Sequence, residues 1–272
     1  MNRSYLALPD KLDCYAKGNM EGGVVLELAG KNDLVRRVRF RLATVDDLDE
    51  LYKVEQASWP EELALSREEI EESLTDFVGL QIIALNENSK ETVGWASVTR
   101  VSTEAILGDV NDWENSIHGH ISAEGKSFEG LGIAVTEEER GYHLGQSLII
   151  FASRATARSL VLENRINDEF AHRLTGRASG YGKWLEERSL GASTKNLKIY
   201  VNGVRSGEWR DPVLSMNFSV VESSAGLVEE VELVPNSWLI DKVAKGAGVR
   251  FDRTKLTQAF IPIEKNILAA MG

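Results

Sequence analysis

The residues best suited to chemistry lie in one stretch, in which an apolar run ending at Val135 is followed by a polar turn and then by a second apolar run, 146–157. This pattern predicts a buried strand, a glycine-containing turn and a helix. The first N–H groups of such a helix have no partner within it and face the space beyond the strand, an arrangement that holds a pyrophosphate. We therefore expect a ligand that carries phosphate groups.

Two common phosphate-binding loops are excluded by the sequence. The chain contains no GxxxxGK[ST] segment, and Gly130 and Gly132 are not followed by the third glycine of a dinucleotide-binding fingerprint. The turn carries instead an arginine and two glycines, at Arg140, Gly141 and Gly145.

This spacing resembles the acyl-CoA-binding turn of the GNAT acyltransferase superfamily, in which the pattern is Arg/Gln-x-x-Gly-x-Gly/Ala. The resemblance implies acetyl-CoA or another acyl-CoA as co-substrate. His143 departs from the pattern, because the family usually has a glycine there, and His143 and Arg154 are further candidate donors to the phosphates. The predicted cofactor-binding residues are Ile133, Val135, Arg140, Gly141, Tyr142, His143, Leu144, Gly145 and Gln146. An ordinary loop before an amphipathic helix has a similar local pattern, so the flanking elements must decide.

The flanking elements follow the order of GNAT domains. Alternating polar and apolar residues predict a strand, and capping boxes that begin at Thr44 and Ser66 predict two helices. Two apolar runs separated by a polar turn predict a hairpin. The predicted strands are 36–42, 80–85, 92–101 and 128–135. The expected fold class is therefore α/β, with a mixed central sheet flanked by helices as in the GNAT acyl-CoA N-acyltransferase fold.

Length and composition favour a compact globular protein. The chain has 272 residues, of which 43% are hydrophobic, and no apolar run reaches the ~18 residues of a membrane span. The first thirty residues lack a basic segment followed by an apolar one, and the single cysteine, Cys14, fits a reducing compartment, so we expect a cytoplasmic protein. The predicted organisation is an N-terminal extension (1–34), a GNAT domain (35–236) and a C-terminal extension (237–272), with a strand at 256–263.

The net charge of −11 bears on partners. An acidic protein repels nucleic acid and anionic membranes, so neither is expected to bind, whereas a cationic acceptor such as an amine is attracted. Acidity is common among cytosolic proteins, so this evidence about the acceptor is weak.

A second resemblance covers the segment after the motif helix. Asp211-Pro212-Val213-Leu214, together with Ser58-Trp59-Pro60-Glu61, resembles a GNAT subgroup that includes the loading domains of polyketide synthases. That subgroup passes CoA-bound acyl groups to a carrier-protein thiol, and some members decarboxylate malonyl groups. The chain departs from the subgroup at Asn217, where the family has a catalytic histidine, and the family's threonine falls on Gly176 or, with a one-residue slip, on Thr175.

Two residues are the candidate catalytic groups. Glu129 has the same parity as the apolar residues of its strand, so an apolar setting would raise its pKa into the range of a general base, although a solvent-facing position is the alternative. Asn217 is either a donor that polarises the thioester carbonyl or a helix residue bonded to a neighbouring turn. The GNAT resemblance implies that a main-chain amide near Ile133 or Val135 polarises the same carbonyl.

Other groups are assigned no chemistry. His118 and His120 have no third ligand nearby, so no metal site is predicted, although the insertion 104–126 that contains them is a candidate wall of an acceptor channel. Trp184 is expected to pack inward, and the run 137–139 of three glutamates is expected to be solvated.

The sequence thus predicts transfer of an acetyl or other short acyl group from acyl-CoA to a small amine-bearing acceptor, by direct attack in a ternary complex. Two alternatives remain open at this stage. One is an S-acyltransferase that loads an acyl carrier protein, and the other is a non-catalytic acyl-CoA-binding protein. Many members of the GNAT family form homodimers, which makes a homodimer the family-based expectation.

Overall fold

The computed structural model describes residues 14–30, 34–61, 64–75, 79–102, 121–235 and 247–271. Its strands are β1 (Val24–Ala29), β2 (Val35–Leu42), β3 (Gly79–Asn86), β4 (Thr92–Val101), β5 (Ser127–Val135), β6 (His172–Arg177), β7 (Glu229–Pro235) and β8 (Ala247–Asp252). Its α-helices are α1 (Leu48–Ser58), α2 (Arg67–Thr75), α3 (Leu144–Leu162), α4 (Tyr181–Glu187), α5 (Thr194–Ser206), α6 (Pro212–Ser223) and α7 (Thr254–Met271). The predicted α/β class is confirmed.

The predicted order of elements from the strand at 36–42 to the motif helix is also confirmed. Strand β2, helices α1 and α2, the β3–β4 hairpin, strand β5 and helix α3 follow one another along the chain. Both predicted capping boxes form. The main-chain N–H of Thr44 donates to Asp47 at 2.8 Å, and that of Ser66 donates to Glu69 at 2.7 Å.

The strands form a mixed eight-stranded sheet, and the chain divides into two compact units. The larger unit consists of the described residues within 6–99, 130–169 and 255–271. Its strand order is β1-β2-β3-β4 followed by the end of β5, and the first four strands are antiparallel. The smaller unit consists of the described residues within 100–129 and 170–254. There the start of β5 is followed by β6-β8-β7, and the last three strands are antiparallel.

The core of the larger unit explains why its strands are so apolar. Every residue of β4 is buried, so this strand has no solvent-facing side and reads as a continuous run rather than an alternation. On one side of the sheet Trp95 packs in a cluster with residues of α1 and α2, and its indole N–H donates to Glu55 at 2.9 Å. Elsewhere in the same unit Phe151 of α3 stacks on Phe40 of β2 with ring centroids 4.4 Å apart.

A buried ion pair joins α7 to α3, and the same arginine contacts the segment before β1. The side chains of Arg154 and Glu264 are fully buried and lie 2.5 Å apart, and Arg154 also donates to the carbonyl groups of Tyr15 and Gly18 at 2.6 and 2.7 Å. The interpretation of Arg154 as a phosphate donor is therefore wrong. Its guanidinium is already bound to Glu264 and to main-chain carbonyl groups of the larger unit, because a buried charge is stable only with such partners.

The strand predicted at residues 256–263 is also wrong, because these residues belong to α7. The buried side chains of this helix are Leu256, Thr257, Phe260 and Glu264. Their spacing of three and four residues is that of a helix face, and it outweighs the strand-like composition of the segment. The proposed boundaries of the GNAT domain at 35 and 236 stay a prediction.

The Asp-Pro-Val-Leu motif organises the smaller unit. Asp211 is fully buried and accepts hydrogen bonds from the Ser179 hydroxyl, the Gly180 N–H, the Tyr200 hydroxyl and the Leu214 N–H, all between 2.9 and 3.0 Å. It thereby caps α6 and connects the starts of α4 and α6 with α5. The motif has a structural function here, which is to fix three helices in the smaller unit.

Trp184 packs inward, as predicted, within an aromatic cluster of the smaller unit. Its ring centroid lies 6.0 Å from that of Tyr181, 5.7 Å from that of Tyr200 and 5.2 Å from that of Trp209.

None of the helices in the described residues is long and apolar enough to cross a membrane.

Candidate functional site

The connection from β5 to α3 has the geometry of a ligand-binding turn. Strand β5 ends at Val135, a short 3-10 turn covers Glu137–Glu139, and α3 begins at Leu144. Between them the backbone is left-handed twice, at Gly141 (φ 101°) and at His143 (φ 59°). Glycine adopts such angles without strain, whereas a histidine pays about 1 kcal/mol or more. The chain thus maintains an unfavourable backbone conformation directly before the helix.

The start of α3 is suited to an anion. Its N-cap residue, His143, makes no capping hydrogen bond with its side chain, and the first turn contains no acidic residue. The first N–H groups of a helix lack acceptors inside it, and they carry a positive partial charge that favours phosphate. Of the predicted cofactor-binding residues, Leu144, Gly145 and Gln146 form the first turn of α3, whereas Ile133 and Val135 lie on β5.

The first turn of α3 is partly buried, and its histidine is held by a side-chain contact. Leu144 and Gly145 are buried, and a ring nitrogen of His143, Nδ1, lies 2.8 Å from Oε1 of Gln146. This contact fixes the imidazole along the first turn of α3. His143 therefore has a defined partner within the larger unit.

Arg140 joins two motifs that are distant in sequence. Its Nε donates to the carbonyl of Val135 at 3.3 Å, and its Nη2 donates to the carbonyl of Ser58 at 3.4 Å. Ser58 is the last residue of α1 and opens the Ser-Trp-Pro-Glu segment. Because Arg140 is exposed, the guanidinium lies at the surface between the end of β5 and the end of α1 in the larger unit.

One of the three glutamates before the turn is not solvated as predicted. Glu139 is buried, its Oε2 lies 3.4 Å from Nε of Arg36, and its Oε1 accepts from Asn86 at 3.5 Å. Glu137 and Glu138 are exposed, in agreement with the prediction. Their neighbour is buried because Arg36 of β2 offers it a cationic partner.

Glu129 lies in the smaller unit and is buried, with 7% of its surface exposed. The Thr175 hydroxyl donates to its Oε1 at 3.2 Å. Burial raises the pKa of Glu129 to about 7, although the guanidinium groups of Arg250, Arg253 and Arg173 and the Thr175 hydrogen bond act in the opposite direction. Glu129 is therefore buried rather than solvent-facing, but its neighbours are charged and polar rather than apolar. A carboxyl that titrates near neutral pH has the protonation behaviour of a general base.

The arginines around Glu129 are the residues that sequence reasoning missed. Arg250 pairs in register with Thr175, so the two side chains share a face of the sheet, and it also contacts Glu232 at 3.0 Å. Arg253 is buried, and its Nη2 lies 2.8 Å from Nε2 of His172. Both arginines come from the segment assigned to a C-terminal extension. The alternation in β8, with Val249 and Phe251 buried in the core, is the feature from which a strand could have been predicted.

Asn217 is buried on α6, and its side-chain Nδ2 donates to the Val213 carbonyl one turn earlier, at 3.0 Å. A Cβ atom on Gly176 would lie only 3.0 Å from this Nδ2. Gly176 is therefore the residue next to Asn217, whereas Thr175 bonds to Glu129. Side chains alternate across a strand, so the one-residue slip that would put Thr175 beside Asn217 is not supported. A catalytic function of Asn217 stays a prediction.

Metal chemistry has no support in the described residues, where no group of three histidine, cysteine, aspartate or glutamate side chains is placed to hold an ion. His118, His120 and most of the insertion 104–126 lie outside the described residues. The prediction that this insertion lines an acceptor channel stays untested.

Neither a protein-family model nor a curated protein matches the chain. Solved structures do match. The GphF GNAT-like decarboxylase in complex with isobutyryl-CoA superposes with a TM-score of 0.58 at 23% identity, over 79% of this chain and 98% of that one. The loading GNATL domain of CurA from Lyngbya majuscula superposes with a TM-score of 0.54 at 16% identity, over 79% of this chain and 96% of that domain. The chain has the GNAT fold. At these identities the likeness extends to the fold and no further.

Proposed function

We propose that this protein transfers a short acyl group, most simply acetyl, from acyl-CoA to a small amine-bearing acceptor. The observation that carries the proposal is the left-handed turn at Gly141 and His143, which leads directly into α3, a helix whose first turn contains no acidic residue. Amides in this arrangement bind a diphosphate, and the diphosphate is the part of CoA that every acyl-CoA shares. The complex with isobutyryl-CoA of the decarboxylase of like fold supports the same ligand class.

The chemistry needs a neutral amine, an aligned attack and a polarised carbonyl. Glu129 is the proposed general base, since a carboxyl with a pKa of about 7 takes up a proton readily at neutral pH. A main-chain N–H near Ile133 or Val135 on β5 is the proposed donor to the thioester oxygen. The amine attacks the carbonyl carbon, the tetrahedral centre collapses, and the CoA thiolate leaves without an acyl-enzyme intermediate.

The charges near Glu129 bear on the protonation of an amine acceptor. Arg250, Arg253 and Arg173 all act on the Glu129 carboxyl in the direction of a lower pKa. The same positive charges would lower the pKa of an amine that approaches this carboxyl, which favours the neutral, nucleophilic form. The net charge of −11 acts over a longer range and attracts the cationic form from solution.

Loading of a carrier-protein thiol is the second candidate. It is supported by the two structures of similar fold, one of which is a decarboxylase and the other a loading domain. It is opposed by Asn217, which replaces the histidine of that subgroup, and by Gly176, which lies beside it without a hydroxyl. An amide does not exchange a proton near neutral pH, so it cannot replace a histidine in acid–base chemistry.

Binding and turnover can be tested in sequence. Thermal-shift titrations with acetyl-CoA, malonyl-CoA and free CoA test the binding site, and CoA-release assays with pooled amines and with an acyl carrier protein test the reaction. CoA release with an amine supports the proposed function, and release only with the carrier protein supports the second candidate. Saturable binding without release from any acceptor would identify a non-catalytic acyl-CoA-binding protein. The absence of binding would overturn the proposal.

Replacing Gly145 with valine is expected to weaken acetyl-CoA binding by about tenfold or more, which corresponds to ~1.4 kcal/mol. Gly145 is buried at the second position of α3, and a branched side chain there would crowd the amides that are proposed to hold the diphosphate. The thermal shift at a fixed acetyl-CoA concentration should shrink, because the shift depends on the ratio of ligand concentration to Kd.

The matched control is Gly191→Val. Gly191 lies in a loop, and a Cβ atom there would have nothing within 4 Å. This variant should keep the wild-type shift, and both apo variants should melt cooperatively. An unchanged shift for Gly145→Val would contradict the proposed diphosphate site.

A further inference from the structure

The aromatic ring of Tyr142 packs directly against the backbone of Gly30. A Cβ atom on Gly30 would lie 2.2 Å from Cε1 and 2.3 Å from Cδ1 of the ring, distances that no side chain tolerates. Gly30 follows β1, and its N–H donates to the Leu34 carbonyl at 2.8 Å just before β2. The Tyr142 ring thus occupies the space that a side chain at this position would take, so any larger residue must displace the ring.

A second contact runs from the same hairpin to the same turn. Arg36 of β2 places its guanidinium carbon 4.7 Å from the centroid of the Tyr142 ring, and its Nε lies 3.4 Å from the buried carboxylate of Glu139. The Tyr142 N–H in turn donates to the Glu139 carbonyl at 3.4 Å. Arg36 thus holds the turn twice, by a cation–π contact and by an ion pair.

These contacts lie at the part of the turn whose backbone conformation is least favourable. Tyr142 lies between Gly141 and His143, the two residues with left-handed backbone angles. A strained conformation persists only when its surroundings impose it. The ring of Tyr142 is the only side chain between the two left-handed residues, so its anchorage restricts both of them.

We propose that the β1–β2 hairpin is a positioning device for the diphosphate-binding turn, with Gly30 and Arg36 as positioning residues. They hold Tyr142, and through it the amides at the start of α3, in the geometry that receives acyl-CoA. This inference rests on the proposed function, because it assumes that the turn binds CoA. Loosening the turn is expected to raise the KM for acyl-CoA and to leave kcat nearly unchanged, since neither residue belongs to the proposed acid–base chemistry.

Gly30→Ala tests the proposal with the smallest possible change. The added methyl group must displace the Tyr142 ring, and we expect the Kd for acetyl-CoA, measured by isothermal titration calorimetry, to rise about tenfold, a change of ~1.4 kcal/mol. The matched control is Gly22→Ala, because a Cβ atom on Gly22 has nothing within 4 Å. Equal affinities of the two variants would overturn the proposal.

A double-mutant cycle separates this mechanism from a general loss of stability. Tyr142→Ala should weaken binding on its own, because it removes the anchor. Gly30→Ala in the Tyr142→Ala background should then have no further effect on the Kd, because the ring that it displaces is gone. Additive losses in the double variant would show that Gly30 acts through some other contact.

Hydrogen exchange of the apo protein tests the anchor without any ligand. Gly30→Ala should accelerate exchange of the amides of residues 142–147 relative to wild type, and Gly22→Ala should not. If wild-type protein fails to bind any acyl-CoA while exchange responds as expected, the proposed function fails and the anchor stands as a structural feature. If wild type binds acyl-CoA and neither affinity nor exchange responds to Gly30→Ala, the positioning inference alone fails.

Discussion

Replacing Glu129 with glutamine is expected to lower kcat/KM for the acyl-acceptor reaction by about 10²–10⁴-fold, the range that one general base contributes. Glutamine has nearly the same shape and can still accept the hydrogen bond that Thr175 donates to Glu129 at 3.2 Å. It cannot accept a proton from the attacking amine. Affinity for acetyl-CoA, measured by calorimetry, should change little, because the loss is confined to the proton transfer.

The pH dependence of the wild type provides an independent check of the same residue. The base works only as the carboxylate, and burial raises the pKa of Glu129 to about 7. The rate constant kcat/KM should therefore fall by up to tenfold for each pH unit below about 7, and it should level off above it unless the acceptor titrates there. Glu129→Gln should lose this limb of the profile.

Glu55→Gln is the matched control for both measurements. Glu55 is also buried, and burial also raises its pKa, but its carboxylate accepts from the Leu65 N–H at 3.1 Å and from the Trp95 indole at 2.9 Å. Its function in the larger unit is structural, so its replacement should lower the melting temperature and leave the pH profile intact. A Glu129→Gln enzyme with wild-type kcat/KM at pH 7 would exclude Glu129 as the base.

Removal of the Glu264 carboxylate is expected to destabilise the protein by about 3–5 kcal/mol, the cost of leaving a buried charge without its partner. In Glu264→Ala, Arg154 would remain fully buried beside a cavity, and Arg158 would lose a contact of 3.3 Å. Chemical denaturation monitored by circular dichroism measures the change. We expect the loss to appear in the midpoint of the transition, with little change in its slope.

Two variants show whether the loss arises from the uncompensated charge. Glu71→Ala removes an exposed carboxylate that lies 3.4 Å from Arg67, and it should leave the midpoint of the transition nearly unchanged because water screens that pair. The double variant Arg154→Leu with Glu264→Ala removes both charges and should be more stable than Glu264→Ala alone. If Glu264→Ala were as stable as wild type, the buried Arg154–Glu264 pair would not be what holds α7 against α3.

The sequence predicted the elements around the turn because their patterns are local. The capping boxes at Thr44 and Ser66, the polar break between β3 and β4, and the apolar run before Val135 each depend on residues close together in the chain. The same holds for the open start of α3. Any chain that leaves a buried strand through a short turn into a helix presents those amides, so the site that is proposed to bind CoA was predictable.

Reliance on local patterns also explains where the prediction failed. The strand prediction for residues 256–263 fails because the buried positions recur at helical spacing as far as Glu264. The solvated position predicted for Glu139 is wrong because Arg36, the cation that compensates this carboxylate, lies about a hundred residues earlier in the sequence. No window of sequence contains both partners, and only the sheet brings them together.

The residue types of Arg140, Gly141 and Gly145 are sufficient to predict a phosphate-binding turn, because backbone geometry and helix electrostatics follow from neighbouring residues. The environment of Glu129 was decided by tertiary structure. Its pKa is set by burial and by Arg250 and Arg253, which strand β8 and its end bring back from the far end of the chain. The same distinction applies to Arg154, whose charge is neutralised by Glu264 of α7, a partner more than a hundred residues away in the sequence. Electrostatic energies depend on distances in space, and those distances are fixed only when the chain has folded.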